Sequence, residues 1–142
     1  MVGSEPAEKL AANGYVTLAV DLYRANRSCR RPRFLADRPD VDPKHIGSLG
    51  WSMGGGLAVQ LAIHEPRLAA CVVNYGPLPT NTGDIQKIDV PVLGNFGALN
   101  RGIPVDKVRS FRKMDRSATF SIGQIDRLRE FGGGGLTKAV PA

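Results

Sequence analysis

The pentapeptide Gly50-Trp51-Ser52-Met53-Gly54 places one serine between two glycines, at a spacing that suits nucleophilic catalysis. A serine hydroxyl can attack a carbonyl carbon when a sharp turn between a strand and a helix exposes it. A strand is predicted at residues 46–50, and an apolar helical pattern begins at Gly54. Because the chain must pack closely on either side of such a turn, we expect glycine to be required at both Gly50 and Gly54.

The predicted helix behind Ser52 would supply a donor for an oxyanion. Its start places the backbone N–H of Met53 where negative charge develops, and the helix dipole adds positive potential there. Serine also needs a base, normally a histidine that follows an acid in the chain. The two histidines are His45, before the strand predicted at residues 46–50, and His64, at the end of the helix predicted after Ser52. We predict both to be surface residues, so no catalytic histidine is found.

Apolar strands that alternate with helical stretches predict an α/β fold, with a parallel sheet and helices on both of its faces. The predicted strands are residues 15–20, 46–50, 68–74 and 90–96, and the predicted helices are residues 7–13, 34–38, 54–64 and 105–114. Within the third helix the core-facing residues are predicted to be Leu57, Ala58, Leu61 and Ala62. Beyond Arg116, a further amphipathic helix could be marked by Phe120, Ile122, Ile125, Leu128 and Phe131.

The composition fits one modest domain of 142 residues. No apolar run approaches the roughly 20 residues that cross a bilayer, so we expect a cytoplasmic chain without membrane contact. The two cysteines, Cys29 and Cys71, have no metal-binding spacing, and Cys71 is predicted to be a small buried thiol. We predict neither a metal site nor a cofactor.

A basic cluster contributes to the net charge of +6. It contains Arg24, Arg27, Arg30, Arg31 and Arg33. Such a patch could attract phosphate backbones, although no aromatic residue interleaves with it to stack on bases. The pattern favours a solvated connection over a nucleic-acid site.

Several blocks together resemble the dienelactone hydrolases (carboxymethylenebutenolidases) of the α/β-hydrolase superfamily. They run from about Ala7 to Met114. The blocks are AEKLAANGYV at 7–16, DLYR at 21–24, RPDVDP at 38–43, IGSLGWSMGG at 46–55, VNYG at 73–76, PVLGNFG at 91–97 and RGIPV at 101–105.

This resemblance implies hydrolysis of a small ester or lactone through a covalent acyl intermediate. The family's nucleophile falls on Ser52, where the family often has cysteine. The family's acid falls on Asn100, whose amide oxygen can orient an imidazole without offering it a full negative charge. The family's histidine, which should follow the last strand, has no counterpart.

The resemblance also implies a partial α/β-hydrolase fold, which lacks the family's first strands and its usual C-terminal part. We expect residues 1–115 to form this partial domain and residues 116–142 a diverged, partly disordered tail. An open sheet edge could then drive self-association. Three functions stay open: a serine hydrolase, a catalytically inactive truncated remnant of one, and a basic protein that binds anions or nucleic acid.

Overall fold

The computed structural model of the protein describes residues 4–20, 31–115 and 118–123. The chain divides into two compact units between Ile46 and Gly47. Within the described ranges, no helix has the length and apolar character needed to span a membrane.

In its described residues the first unit contains two helices, α1 (Ser4–Ala12) and α2 (Arg31–Ala36). Gly14 ends the first of them with a φ of 87°, a conformation that glycine adopts without steric cost. Its N–H donates to the Ala11 carbonyl at 3.0 Å. The predicted helix at 7–13 and its glycine stop are therefore confirmed, whereas the second helix lies several residues earlier than predicted.

The strand predicted at residues 15–20 is wrong. This segment has no regular secondary structure, and the side chains of Tyr15, Val16 and Val20 are exposed. A strand requires ladder hydrogen bonds to a neighbour, and in the described ranges all four strands of the sheet come from the second unit. Cys29 and most of the arginine cluster lie outside the described residues, as do the side chains of Arg31 and Arg33.

The second unit is built on a parallel sheet in the order β1-β2-β3-β4. Its strands are β1 (Gly47–Trp51), β2 (Ala70–Asn74), β3 (Val92–Gly97) and β4 (Ala118–Gly123). The helices between them are α3 (Met53–His64), α4 (Thr82–Ile85) and α5 (Val105–Met114). Strand and helix alternate along the chain, which confirms the α/β prediction.

The fourth strand replaces the start of the amphipathic helix predicted around Phe120. Burial follows a period of two here, since Ala118 and Phe120 are buried and Thr119 is exposed. The Phe120 ring lies 5.5 Å from that of Phe96 and 5.6 Å from that of Phe111, measured between centroids. The helix predicted at Phe120 is therefore wrong, because this residue packs as part of a strand. Ile125, Leu128 and Phe131 lie outside the described residues.

The two faces of the sheet differ in what covers them. On one face Ser48 donates its hydroxyl to the Ala58 carbonyl of α3 at 3.2 Å, and Phe111 of α5 packs on Phe120. This face buries Cys71, and that burial raises the pKa of the thiol. On the other face Leu49, Trp51 and Leu93 are 40%, 41% and 44% exposed. In this unit's described residues, α3 and α5 therefore share one face.

Helix α3 buries two of its four predicted core residues, Ala58 and Ala62. Leu57 is exposed and Leu61 is only half-buried, while Val59 and Ile63 are buried instead. The rotation of the helix is set by close contacts of its first turn, and periodicity alone does not reveal these. The short helix α4 was not predicted; the Asn81 side chain caps it by accepting the Gly83 N–H at 2.8 Å.

Candidate active site

Ser52 forms a sharp turn between β1 and α3. Its backbone has φ 51° and ψ −123°, a conformation that residues other than glycine rarely adopt. The side chain makes no capping hydrogen bond to the helix that follows, and the residue is exposed. The turn therefore presents a serine hydroxyl at the carboxyl edge of the sheet, as a nucleophile elbow requires.

The two glycines of the pentapeptide differ in their steric environments. A Cβ on Gly50 would overlap the carbonyl oxygen of Gly54 and lie 2.7 Å from the nitrogen of Gly55, so Gly50 must lack a side chain. A Cβ on Gly54 would meet no atom within 4 Å. The steric requirement predicted for Gly54 is therefore wrong, because the close approach involves the backbone of Gly54 and not the space beside its Cα.

A second close contact joins the first turn of α3 to the loop after β2. A Cβ on Gly55 would lie 3.1 Å from the Cα of Gly76, and one on Gly56 would lie 2.6 Å from Cγ of Pro77. The residue that opens this loop, Tyr75, also has a positive φ of 40°. Unusual backbone conformations thus occur at the ends of two adjacent strands.

Met53 opens α3, so its backbone N–H belongs to the group that a helix leaves without an intrahelical acceptor. The N–H of Gly56 donates to the Ser52 carbonyl at 3.2 Å, which fixes the first turn directly behind the serine. Partial positive charge at this helix start faces the region beside Ser52. This arrangement can stabilise an oxyanion formed there.

Polar residues at the ends of β2 and β3 support the elbow, and sequence analysis assigned them no role. The Ser52 N–H donates to the Asn74 carbonyl at 3.0 Å, and the Tyr75 N–H donates to the Asn95 carbonyl at 2.7 Å. Both asparagines lie within blocks that carry the family resemblance. The sequence feature that could have indicated them is a polar residue near the carboxyl end of an apolar strand. Parallel α/β sheets bind ligands at that edge.

Asn100 lies in the turn after β3, and its side chain binds that turn. The amide oxygen accepts the Gly102 N–H at 2.9 Å and the Ile103 N–H at 3.3 Å. The Asn100 N–H donates to the Gly97 carbonyl at 3.2 Å. The oxygen that could orient an imidazole is therefore already occupied by its own loop.

The structure does not bring a histidine beside Ser52 within the second unit's described residues. His64 is exposed at the far end of α3, roughly 15 Å from the elbow along the helix axis. His45 belongs to the first unit, where its Nδ1 lies 2.7 Å from Oδ2 of Asp42. The Lys44 N–H and then His45 hold the pKa of the Asp42 carboxyl below its usual value. In the described part of the chain, no group of three His, Cys, Asp or Glu residues could hold a metal ion.

A family model described as "Dienelactone hydrolase family" matches residues 30–123, a range that includes the elbow and all four strands. This chain belongs to the dienelactone hydrolase family. The match confirms the resemblance inferred from the sequence blocks. The match also extends past Met114 to the end of β4, a segment in which the sequence blocks showed no resemblance to the family.

Individual members of the dienelactone hydrolase family match parts of the chain. The "Putative carboxymethylenebutenolidase" of Saccharolobus solfataricus is 43% identical over a 65-residue alignment that covers 43% of this chain and 25% of that protein. The protein of the same name from Escherichia coli O157:H7 is 28% identical over 78% of this chain and 54% of its own length. The alignments thus span between a quarter and about half of these two relatives.

A solved structure confirms the fold. The crystal structure named "Putative Dienelactone Hydrolase" from Klebsiella pneumoniae aligns with a TM-score of 0.57 at 27% identity. The alignment covers 65% of this chain and 43% of that one. The second unit is therefore a partial α/β-hydrolase sheet with its elbow.

Proposed function

We propose that this chain carries the nucleophile of a hydrolase that cleaves a small carboxylic ester or lactone through Ser52. The observation that supports this most strongly is the strained backbone of Ser52 between β1 and α3, with a hydroxyl that does not cap the helix. Strained residues of this kind cluster at active sites. Membership of the dienelactone hydrolase family supports the same class of reaction.

In the proposed reaction, Ser52 Oγ bonds to the carbonyl carbon of the substrate while its proton passes to a base. The carbonyl oxygen becomes an oxyanion beside the Met53 N–H at the start of α3. Collapse of this intermediate breaks the ester bond, and the alcohol part leaves with a proton. Water then attacks the acyl-serine, which releases the acid and restores the hydroxyl. In a lactone both products remain in one molecule.

A second candidate is a hydrolase-fold chain whose serine is not activated. The occupied amide oxygen of Asn100 favours it, because this residue stands where the family's acid falls and binds its own loop. A serine without a histidine and carboxylate pair is a weak nucleophile at neutral pH. The two candidates predict opposite results with a reagent that reacts only with activated serines.

The test is intact-mass analysis of the folded chain after incubation with a fluorophosphonate probe. The proposed hydrolase should give one adduct, and Ser52→Ala should give none. The matched control is Ser110→Ala, which removes an exposed serine on α5 and should leave the adduct unchanged. Hydrolysis of a small aryl ester and of a simple lactone, measured on the same three proteins, would then identify the bond that is cleaved.

Absence of the adduct from a chain that circular dichroism shows to be folded would contradict the proposal and support the inactive candidate. An adduct that persists in Ser52→Ala would also contradict it, because a different residue would then carry the reaction.

A further inference from the structure

Two asparagine side chains form a hydrogen-bonded pair across the carboxyl end of the sheet. Asn74 and Asn95 are register partners on β2 and β3, and Trp51 is the partner of Asn74 on β1. The amide of Asn95 donates from Nδ2 to Oδ1 of Asn74 at 2.8 Å. Register partners on parallel strands point to the same face, so this pair lies on the face opposite to α3 and α5.

Asn74 contacts the elbow strand at two points. Its Nδ2 donates to the Gly50 carbonyl at 3.3 Å, and its backbone carbonyl accepts the Ser52 N–H at 3.0 Å. These two points lie on either side of Trp51, directly before the chain enters its strained turn. One residue of β2 therefore restrains both the last part of β1 and the nucleophile position.

The Gly50 carbonyl and Asn95 together fix which way the Asn74 amide points. With Asn74 Oδ1 accepting from Asn95, the nitrogen of the Asn74 amide faces the Gly50 carbonyl. The reversed amide would set oxygen against oxygen at Gly50 and nitrogen against nitrogen at Asn95. The resulting chain of hydrogen bonds runs from the Asn95 amide, through the Asn74 amide, to the Gly50 carbonyl, which is the final acceptor. The backbone carbonyl of Asn95 also accepts the Tyr75 N–H.

We propose that Asn74, oriented by Asn95, is a positioning residue that holds Ser52 in its elbow conformation. A strained backbone persists only where its surroundings fix it. The glycine contacts fix the elbow from the α3 side, and the asparagine pair fixes it from the opposite face. The effect on catalysis rests on the proposed function, whereas the effect on the conformation of the elbow does not.

The competing explanation is that the two amides merely satisfy each other's hydrogen bonds. Residue-resolved amide hydrogen exchange by NMR on the full chain separates the two. In Asn74→Asp the shape and the acceptor for Asn95 remain, while an acceptor replaces the donor to Gly50. We expect protection of the Ser52 N–H to fall at least tenfold, while the core amides of Val59 and Val108 keep theirs.

The matched control is Asn81→Asp, the same chemical change in the cap of α4, where the side chain acts as an acceptor and Asp is also a good cap. It should leave Ser52 protection unchanged. Asn95→Asp should give a smaller loss than Asn74→Asp, because the Asn74 amide nitrogen is still present and the acceptor at residue 95 only competes with the Gly50 carbonyl for it. If Asn74→Asp does not fold, the protection of the Ser52 N–H is measured in Asn95→Asp instead, where the substituted residue is one hydrogen bond further from the elbow.

Acid pH provides a readout that general destabilisation would not give. Protonation turns the carboxylate of Asn74→Asp into a group with one O–H donor, which can again donate to the Gly50 carbonyl. The protection of Ser52, relative to the unchanged chain at the same pH, should therefore recover as the pH falls through the pKa of that carboxyl, ordinarily about 4. Unchanged Ser52 protection in Asn74→Asp would overturn the proposal, as would an equal loss at Ser52, Val59 and Val108.

The rate of fluorophosphonate labelling separates this inference from the proposed function. If the unchanged chain forms the adduct, Asn74→Asp should form it about tenfold more slowly and Asn81→Asp at the unchanged rate. An equal rate in Asn74→Asp would overturn the positioning role. If the unchanged chain forms no adduct, the proposed function fails, and hydrogen exchange still decides whether Asn74 holds the elbow.

Discussion

The elbow after β1 and the loop after β3 lie at the same carboxyl edge of the sheet, yet they are stabilised in different ways. At the elbow, Ser52 has a strained backbone, and Gly50 approaches the backbone of Gly54 so closely that no side chain fits. In the loop, Asn100 accepts two N–H groups from its own turn. The elbow depends on contacts between separate elements, while the loop is stabilised locally.

This difference shows which family features folding alone can preserve. Replacing Gly50 would disturb the packing of α3 on the sheet, so the fold requires this glycine whether or not Ser52 reacts. The loop makes no such demand for a negative charge, because an asparagine or an aspartate oxygen can accept the same two N–H groups. An intact elbow is therefore weaker evidence for catalysis than an intact acid would be.

The largest effect is expected from glycine substitutions at the elbow. Gly50→Ala forces a methyl group against backbone atoms, and we expect it to lower the free energy of unfolding by about 3 kcal/mol or more. Gly54→Ala enters open space in the first turn of α3 and should raise that free energy by up to about 1 kcal/mol. Urea unfolding followed by circular dichroism measures both. Equal losses in the two variants would show that the two glycines share one steric role.

A smaller effect should report the strain at Ser52 directly. Ser52→Ala and Ser52→Gly both remove the hydroxyl, and they differ in whether the residue can adopt a φ of 51° without strain. We expect the glycine variant to be more stable by about 1–2 kcal/mol, since relief of strain exceeds the added entropy of the unfolded chain. If the alanine variant were the more stable, the strained turn would not exist in solution and the contrast with the loop would disappear.

The sequence predicted elements well where one pattern fitted one structure. Residues 105–114 form α5 as expected, because a proline start and helical periodicity agree there. The amphipathic helix predicted from Phe120 onward was wrong at its start, where packing of Phe120 against Phe96 and Phe111 accompanies a strand. Periodicity likewise could not fix the buried face of α3, which depends on contacts with the loop after β2.

Within the candidate site, the local sequence predicted the turn at Ser52 but not the residues on other strands that hydrogen-bond to it. The pentapeptide indicated Ser52 and Gly50, because the elbow is encoded by neighbouring residues. Asn74 and Asn95 support that turn from other strands, and only the register of the sheet brings them together. Close packing was predicted on both sides of the turn, but only Gly50 lacks room for a Cβ, and Gly54 has open space there.

The smallest effect is expected in the loop, where it sharpens the contrast with the elbow. Asn100→Ala removes an acceptor for two N–H groups and should lower the free energy of unfolding by about 1 kcal/mol. Asn100→Asp keeps that acceptor, so its stability should stay within about 0.5 kcal/mol of the unchanged chain. It should also leave fluorophosphonate labelling of Ser52 unchanged, because its oxygen stays directed at Gly102 and Ile103. Faster labelling in Asn100→Asp would instead mean that the loop opens and that a base reaches both residues, which would make the two regions one working site.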